Sequence, residues 1–253
     1  MITLDNLSSD FAETVLYTVG DETVRRHDAV LRPRIAETLR AFTDGAIRKL
    51  LAAGSILLPT DRTGLRDEEH ELRLVVVSQF VGACETVLAA AHLLRGGYPH
   101  DVSTLARRAF DTAAIGFYYF DNPAAWFEAK RLWAELKASG SANAPVLPPG
   151  PSIGSVLQSV ISRAAESYGP ASERASNEVA LKRANQILAQ EAHSGPGVRL
   201  MSNFVDESTA RLGPRDASKD ESEFKRAFSA LQLAVHAVGL VVGMTFDKVL
   251  GLP

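Results

Sequence analysis

Apolar residues recur every three or four positions along nearly the whole chain. That spacing places apolar side chains on one face of an α-helix, whereas a half-buried strand requires strict alternation. No alternating run enclosed by turn residues is evident. The pattern therefore predicts an all-α protein, folded as an antiparallel multi-helix bundle of about eight helices.

The clearest helix is predicted to begin in the acidic turn Asp67-Glu68-Glu69 and to end at Arg95, before Gly96-Gly97. Carboxylates stabilise the positive start of a helix, and glycine accepts the left-handed conformation that follows its end. The apolar stripe of this helix is Leu72, Val76, Phe80, Ala83, Val87, Ala90 and Leu94. The next helix, from about Asp101, has the stripe Leu105, Ala109, Ala113, Phe117 and Phe120.

Asn122 and Pro123 indicate the start of another helix, since asparagine caps well and proline suits the first helical position. Its predicted core face is Trp126, Ala129, Trp133 and Leu136. Further helices are predicted around residues 11–19, over 24–50 with a kink or break at Pro33, from Ile153, and from Pro170 to near His193.

The last predicted helix follows Ser218 and Glu221, which have capping-box spacing. Gly239 and Gly243 lie one turn apart in it and permit a close helix-helix approach, and we expect this helix at the bundle centre or in a homodimer interface. Residues 227–246 are long and apolar enough to span a bilayer, but Ser229, Gln232 and His236 interrupt the run. The interruption favours a central bundle helix over a membrane span.

Residues 139–149 are rich in Pro, Ala and Ser and lack periodicity, so they indicate a linker. We expect a single all-α domain over 1–253, with sub-layers 1–138 and 150–253 on either side of this linker.

Composition narrows the function classes. The chain has 46% hydrophobic and 23% charged residues, as folded globular proteins do, and its net charge of −3 disfavours a broad phosphate-binding surface. Nucleic acid is therefore not the expected partner. A single cysteine, Cys84, and an N-terminus without signal-peptide features predict a cytoplasmic protein.

Cofactor and metal motifs are absent from the sequence. The glycines at 96–97 and 195–197 fit no phosphate-binding loop, and no Ser or Cys lies in a nucleophile-elbow context. Asp67 and His70 have the spacing of a ligand pair, but they open a helix among other acids, which favours a solvated turn. We expect no cofactor and no metal.

Three residues are candidate ligand-binding groups. Glu85 and His92 continue a polar line with Ser78 at seven-residue spacing, which indicates either a cleft or the solvated face of a helix. His236 has apolar neighbours, with Gln232 one turn away as a hydrogen-bond partner. A satisfied core or interface histidine is favoured there over a catalytic one.

Arg107 and Asp111 lie one turn apart in an aromatic-rich helix and can pair. A buried pair would indicate an anion site or a specificity device, and an exposed pair would be an ordinary surface contact.

The stretch from Leu93 to Pro123 resembles a segment of uncharacterised bacterial all-helical proteins, in which a helix carries an Arg followed four residues later by an acid. The resemblance implies Arg107, Asp111 and His193 as site residues, with Asp111 in place of the usual Glu. Some of these proteins are similar to HEPN nucleic-acid-cleaving domains, whose mark is an Arg followed by four to six residues and a His. Arg95 and His100 have this spacing, although Gly96 replaces the usual polar residue.

Three function classes follow. A non-enzymatic binding or protein-interaction module leads, because it requires no absent motif. The alternatives are a HEPN-like, metal-independent ribonuclease and a helical bundle with a small-ligand pocket or a catalytic site. A homodimer through the last helix is the expected assembly.

Overall fold

A computed structural model describes residues 31–61, 64–139, 150–192 and 221–252. Of these residues 87% are helical and none is in a strand, so the all-α prediction is confirmed. The described residues form seven helices where about eight were expected. The predicted first helix, over 11–19, lies outside the described residues.

The helices follow the chain without intervening strands in its described part. Helix α1 covers 31–57 and includes a π-helical turn at Thr43–Ile47 before Arg48–Leu57. The other helices are α2 (Asp67–Arg95), α3 (Pro99–Asp121), α4 (Pro123–Ala138), α5 (Ile153–Ser167), α6 (Ala171–Ala192) and α7 (Glu221–Phe246). Helix α1 continues through Pro33, so the irregularity expected at this proline occurs instead at the π turn.

Helix α2 has the predicted bounds, and its end shows why. Gly97 has φ 87°, a conformation that glycine adopts without a steric penalty. The N–H of Tyr98 donates to the carbonyl of Leu93 at 2.9 Å, and the N–H of Gly97 donates to that of Leu94 at 3.3 Å. Both bonds satisfy carbonyls that the helix leaves unpaired at its C-terminus.

Helix α4 begins at Pro123 as predicted, but it differs from the prediction in two ways. The Asn122 side chain makes no capping bond to the helix start. None of the α4 residues is fully buried: Trp126, Ala129 and Trp133 of the expected core face are only partly buried, and Leu136 is 42% exposed, so the prediction is wrong for Leu136. Burial depends on which neighbours cover a helix, and sequence periodicity does not report that.

The chain divides into two compact units. One comprises Met1–Ala41, Thr86–Arg107 and Gln186–Val235, and the other comprises Phe42–Glu85, Arg108–Asn185 and His236–Pro253. Each unit includes segments from both sides of the predicted linker 139–149, so the units do not follow the expected sub-layers 1–138 and 150–253. Residues 140–149 themselves lie outside the described part of the chain.

The first unit has a core of aliphatic and aromatic side chains from α1, α2, α3, α6 and α7. Its fully or almost fully buried members include Leu31, Ile35, Val87, Leu94, Val102, Leu188, Phe224 and Leu231. The guanidinium of Arg34 lies 4.4 Å from the ring centroid of Phe228, a cation-π contact.

The second unit is centred on phenylalanine side chains. Phe246 is fully buried, and its ring centroid lies 4.8 Å from that of Phe80 and 6.5 Å from that of Phe120, both edge to face. Such geometry suits the charge distribution of aromatic rings. Gly116 lets α3 approach this cluster, since an added Cβ would lie 3.0 Å from the Phe80 ring.

In the second unit, the residue that follows α7, Asp247, contacts two polar side chains. Asp247 is 8% exposed; Lys49 Nζ lies 2.6 Å from its Oδ1, and the Tyr168 hydroxyl donates to its Oδ2 at 3.1 Å. Burial and the Asp247 carboxylate raise the pKa of Tyr168. The three side chains thus tie α1 and the α5-α6 connection to the end of α7.

The contact between Tyr168 and Asp247 requires a residue without a Cβ at position 243. A Cβ there would lie 2.1 Å from the Tyr168 hydroxyl oxygen, whereas a Cβ at Gly239 would meet nothing within 4 Å. Within the described chain the close neighbour at Gly243 is therefore a tyrosine side chain, and Gly239 has no close neighbour. A homodimer through α7 stays a prediction.

Helices α2 and α7 are long and apolar enough to cross a bilayer when only length and composition are considered. In α7, 61% of the most apolar window is buried inside the protein, as in the core helix of a soluble bundle; in α2 the share is 39%. Cytoplasmic location stays a prediction.

Candidate functional site

The largest cavity described in the second unit has a volume of about 600 Å³. The end of α1, the beginning of α2 and the junction of α3 with α4 line it, and it is open to solvent on one side. Its lining residues are Leu57, Arg66, Glu68, Glu69, Leu72, Arg73, Val76, Phe120, Pro123 and Phe127. Six of these are apolar, and the remaining four are two arginines and two glutamates.

Arg73 fixes one wall of the cavity. One of its terminal nitrogens donates to Glu69 Oε1 at 2.6 Å, and the other donates to the Leu57 carbonyl at 3.3 Å. The second bond satisfies a carbonyl in the last turn of α1, which has no partner within the helix. Arg73 therefore joins the end of α1 to α2 and keeps Glu69 in an ion pair.

The cavity has a wet side and a dry side. Arg66, Glu68 and Pro123 are exposed, whereas Val76 is 2% exposed. The two arginines and two glutamates have formal charges that cancel, so the lining favours neither sign of ligand charge. The resulting arrangement is an apolar interior with polar groups at the mouth, as in small-molecule sites.

Helix α4 forms another wall of the cavity through Pro123 and Phe127. Lys130 Nζ lies 2.5 Å from Glu71 Oε2 and so connects α4 to α2 across 59 residues of sequence. Trp126 packs edge to face on Tyr119, with ring centroids 5.5 Å apart. These contacts place Pro123 and Phe127 over the cavity.

The sequence assigned Leu72 and Phe120 to the core faces of α2 and α3. In the structure both are only partly buried, while all other members of the α2 stripe are buried. Both side chains line the cavity. Periodicity located the correct helix faces but could not indicate that space remains between them, so sequence reasoning missed this site.

The predicted ligand-binding residues do not line a common cavity among those described. Glu85 and His92 are exposed on α2, as expected for its solvated face. His236 and Gln232 are exposed on α7, so the expected core position of His236 is wrong; a place in an interface between chains stays a prediction. None of the three lines a cavity described here.

The structure does not test the predicted catalytic group as a whole, because one of its members lies outside the described residues. Arg107 and Asp111 are half-buried on α3, and each takes part in an interaction there, whereas Arg108 is exposed. His193 lies outside the described residues. Their joint role stays a prediction that rests on the resemblance.

His100 has a neighbour that the sequence did not indicate. Its Nε2 lies 3.2 Å from Glu223 Oε2 in the first unit, which connects the beginnings of α3 and α7. The cavity beside this pair measures about 30 Å³ and is also lined by Ser103, Glu191 and Arg226. A water molecule needs roughly 10–15 Å³ by this measure, so the space suits water and not a substrate.

The spacing of Asp67 and His70 is that of a metal-ligand pair, and the structure shows the surroundings of both residues. Among the described residues, no three His, Cys, Asp or Glu side chains are grouped as a metal site. Both ring nitrogens of His70 are buried without a hydrogen-bond partner there, so the expected solvated turn is wrong for this residue, although Asp67 and Glu68 are exposed.

Cys84 is 6% exposed, and burial, with a smaller effect from Glu85, raises the pKa of its thiol from 9.0 to about 11. The burial of Cys84 agrees with a packing role and not with that of a reactive thiol.

We expect Cys84 to react with a thiol-specific disulfide reagent very slowly in the folded protein at about pH 8. The raised pKa lowers the thiolate fraction about a hundredfold, and burial adds a steric barrier. The absorbance of the released thiol measures the rate, and the same protein in urea is the control. Equal rates in both conditions would contradict the prediction.

Comparisons of the chain with models of protein families, with curated proteins and with solved structures find no match.

Proposed function

We propose that this protein binds a small amphipathic molecule in the 600 Å³ cavity of its second unit. The cavity carries the proposal, because its volume lies within the range of about 300–1,000 Å³ that is typical of ligand sites. An apolar part of the ligand lies against Leu72, Val76 and Phe127, and a polar end lies at the mouth near Arg66 and Glu68.

The apolar walls of the cavity favour an occupant. The cavity is open to solvent on one side, so those walls contact water until a ligand covers them. Binding that removes those walls from water contributes about 25 cal/mol for each Å² of apolar surface.

The chemistry of the lining supports binding over catalysis. Among the described residues, the lining contains no Ser, Cys, His, Lys or Tyr, and Glu69 is already paired with Arg73. RNA cleavage receives less support, since His100 Nε2 faces Glu223 beside a cavity of water size. A protein-interaction role does not require the cavity, so the pocket favours the small-ligand alternative.

The protein is expected to bind the neutral fluorescent probe N-phenyl-1-naphthylamine, and Leu72→Trp is expected to weaken this binding at least about tenfold. The larger indole fills the space that the probe occupies, and tenfold corresponds to about 1.4 kcal/mol. Fluorescence titration gives the affinity, and a thermal shift on probe addition shows binding to the folded state.

Leu74→Trp is the matched control, since Leu74 lies two residues further along α2, is 45% exposed and does not line the cavity. We expect its probe affinity to equal that of the unaltered protein. Absence of probe binding to the unaltered protein, or an equal loss in both variants, would overturn the proposal.

A further inference from the structure

Phe120 lines two cavities of the second unit. One is the 600 Å³ cavity, and the other is a separate space of about 40 Å³ lined by Phe117, Phe120, Asp121, Arg163, Tyr168, Met244 and Lys248. Phe120 is the one residue shared by these two linings. Its side chain therefore forms part of the wall between them.

The smaller cavity has a more polar lining than the larger one. Arg163 binds Asp121 with two hydrogen bonds from one terminal nitrogen, at 2.8 and 2.9 Å. The Tyr168 hydroxyl is bonded to Asp247. An apolar chain that entered this space would remove water from an ion pair, which costs free energy that apolar contacts must offset.

Neighbouring contacts restrict movement of this wall. The Phe120 ring packs edge to face on the fully buried Phe246 ring at a centroid distance of 6.5 Å. The next residue, Asp121, ends α3 and is bound by Arg163 of α5. The backbone at Phe120 is thereby attached to a second helix, and the ring has a packed neighbour on the side of the core.

We propose that Phe120 sets the maximum length of the ligand by ending the apolar part of the site. The ligand class is a molecule with one polar end, at the mouth near Arg66 and Glu68, and one unbranched apolar chain that points inward to Val76 and Phe120. This inference rests on the proposed function, because it concerns the same cavity.

Straight-chain monocarboxylates of about six to sixteen carbons test it by displacement of N-phenyl-1-naphthylamine. In the unaltered protein, affinity increases about fourfold for each added CH₂ until the chain reaches Phe120, and then stops increasing. In Phe120→Ala the increase continues for at least two further carbons, because the ring no longer blocks the chain.

Phe127→Ala is the matched control, since Phe127 lines the larger cavity but not the smaller one. It leaves the length at which affinity stops increasing unchanged. Circular dichroism monitors folding, and Phe120→Leu replaces Phe120→Ala if the latter unfolds, with a smaller increase in length expected. The same limiting length in the Phe120 variant and the unaltered protein would overturn this inference alone. No displacement at any length, together with no probe binding, would overturn the proposed function.

Discussion

Replacing Phe246 with alanine is expected to lower the free energy of unfolding by about 3–5 kcal/mol. The Phe246 side chain is fully buried and packs between the rings of Phe80 and Phe120. Truncation removes its transfer free energy and leaves a void, which rigid aromatic neighbours fill poorly. The midpoint and slope of a urea-unfolding curve, followed by circular dichroism, measure the change.

Leu136→Ala provides the control for this measurement. Leu136 is also a large apolar residue on a helix, but it is 42% exposed, so its truncation is expected to change the free energy of unfolding by no more than about 0.5 kcal/mol. A loss of less than about 1 kcal/mol for Phe246→Ala would contradict the central position of this ring in the second unit.

Gly243→Ala is expected to lower the free energy of unfolding by about 1–5 kcal/mol. The new Cβ would lie 2.1 Å from the Tyr168 hydroxyl oxygen and 3.3 Å from Asp247 Oδ2, so Tyr168 must move away from its hydrogen bond. Overpacking costs about 1–3 kcal/mol, and an unmade bond to a buried carboxylate adds roughly 1–3 kcal/mol. The helix preference of alanine offsets about 1 kcal/mol of this loss.

Gly239→Ala measures the helix preference of alanine alone, because Gly239 lies one turn earlier in α7 and has no neighbour that a Cβ would meet. It is expected to raise stability by up to about 1 kcal/mol. In a double-mutant cycle with Tyr168→Phe, the loss caused by Gly243→Ala should become smaller, since the nearest oxygen is gone. If both glycine variants stabilise the protein equally, the assigned contact is wrong.

Helix positions could be predicted from the sequence where both ends carried local signals. The acidic turn from Asp67 and the glycines after Arg95 defined α2 to the residue, because capping depends on neighbours in the chain. The bundle class followed for a similar reason, since apolar spacing is a property of each helix alone.

It was harder to predict which side of each helix is buried and which is exposed, as His236 illustrates. Ser229, Gln232 and His236 recur at three- and four-residue intervals and are all exposed. They form one solvated line on α7, although most residues beside them in the sequence are apolar. The spacing of the polar residues contained this information, whereas the identity of the adjacent residues was misleading.

The cavity could not be predicted from the sequence. Leu57, Leu72, Phe120 and Phe127 belong to four helices, and each is the type of residue that fills a core. Whether such side chains meet or leave a space depends on the distances between helices, which follow from packing over the whole unit. The pairing of His100 with Glu223 is likewise a contact between distant parts of the chain.

The lack of any fully buried side chain in α4 has a consequence for how a ligand enters. This helix supplies Pro123 and Phe127 to the pocket, yet its ion pair with α2 joins side chains that are 35% and 41% exposed. Exposed pairs of this kind contribute about 0–1 kcal/mol. This ion pair therefore holds α4 against α2 only weakly, and Pro123 of the same helix lies on the exposed side of the pocket, where a ligand would enter.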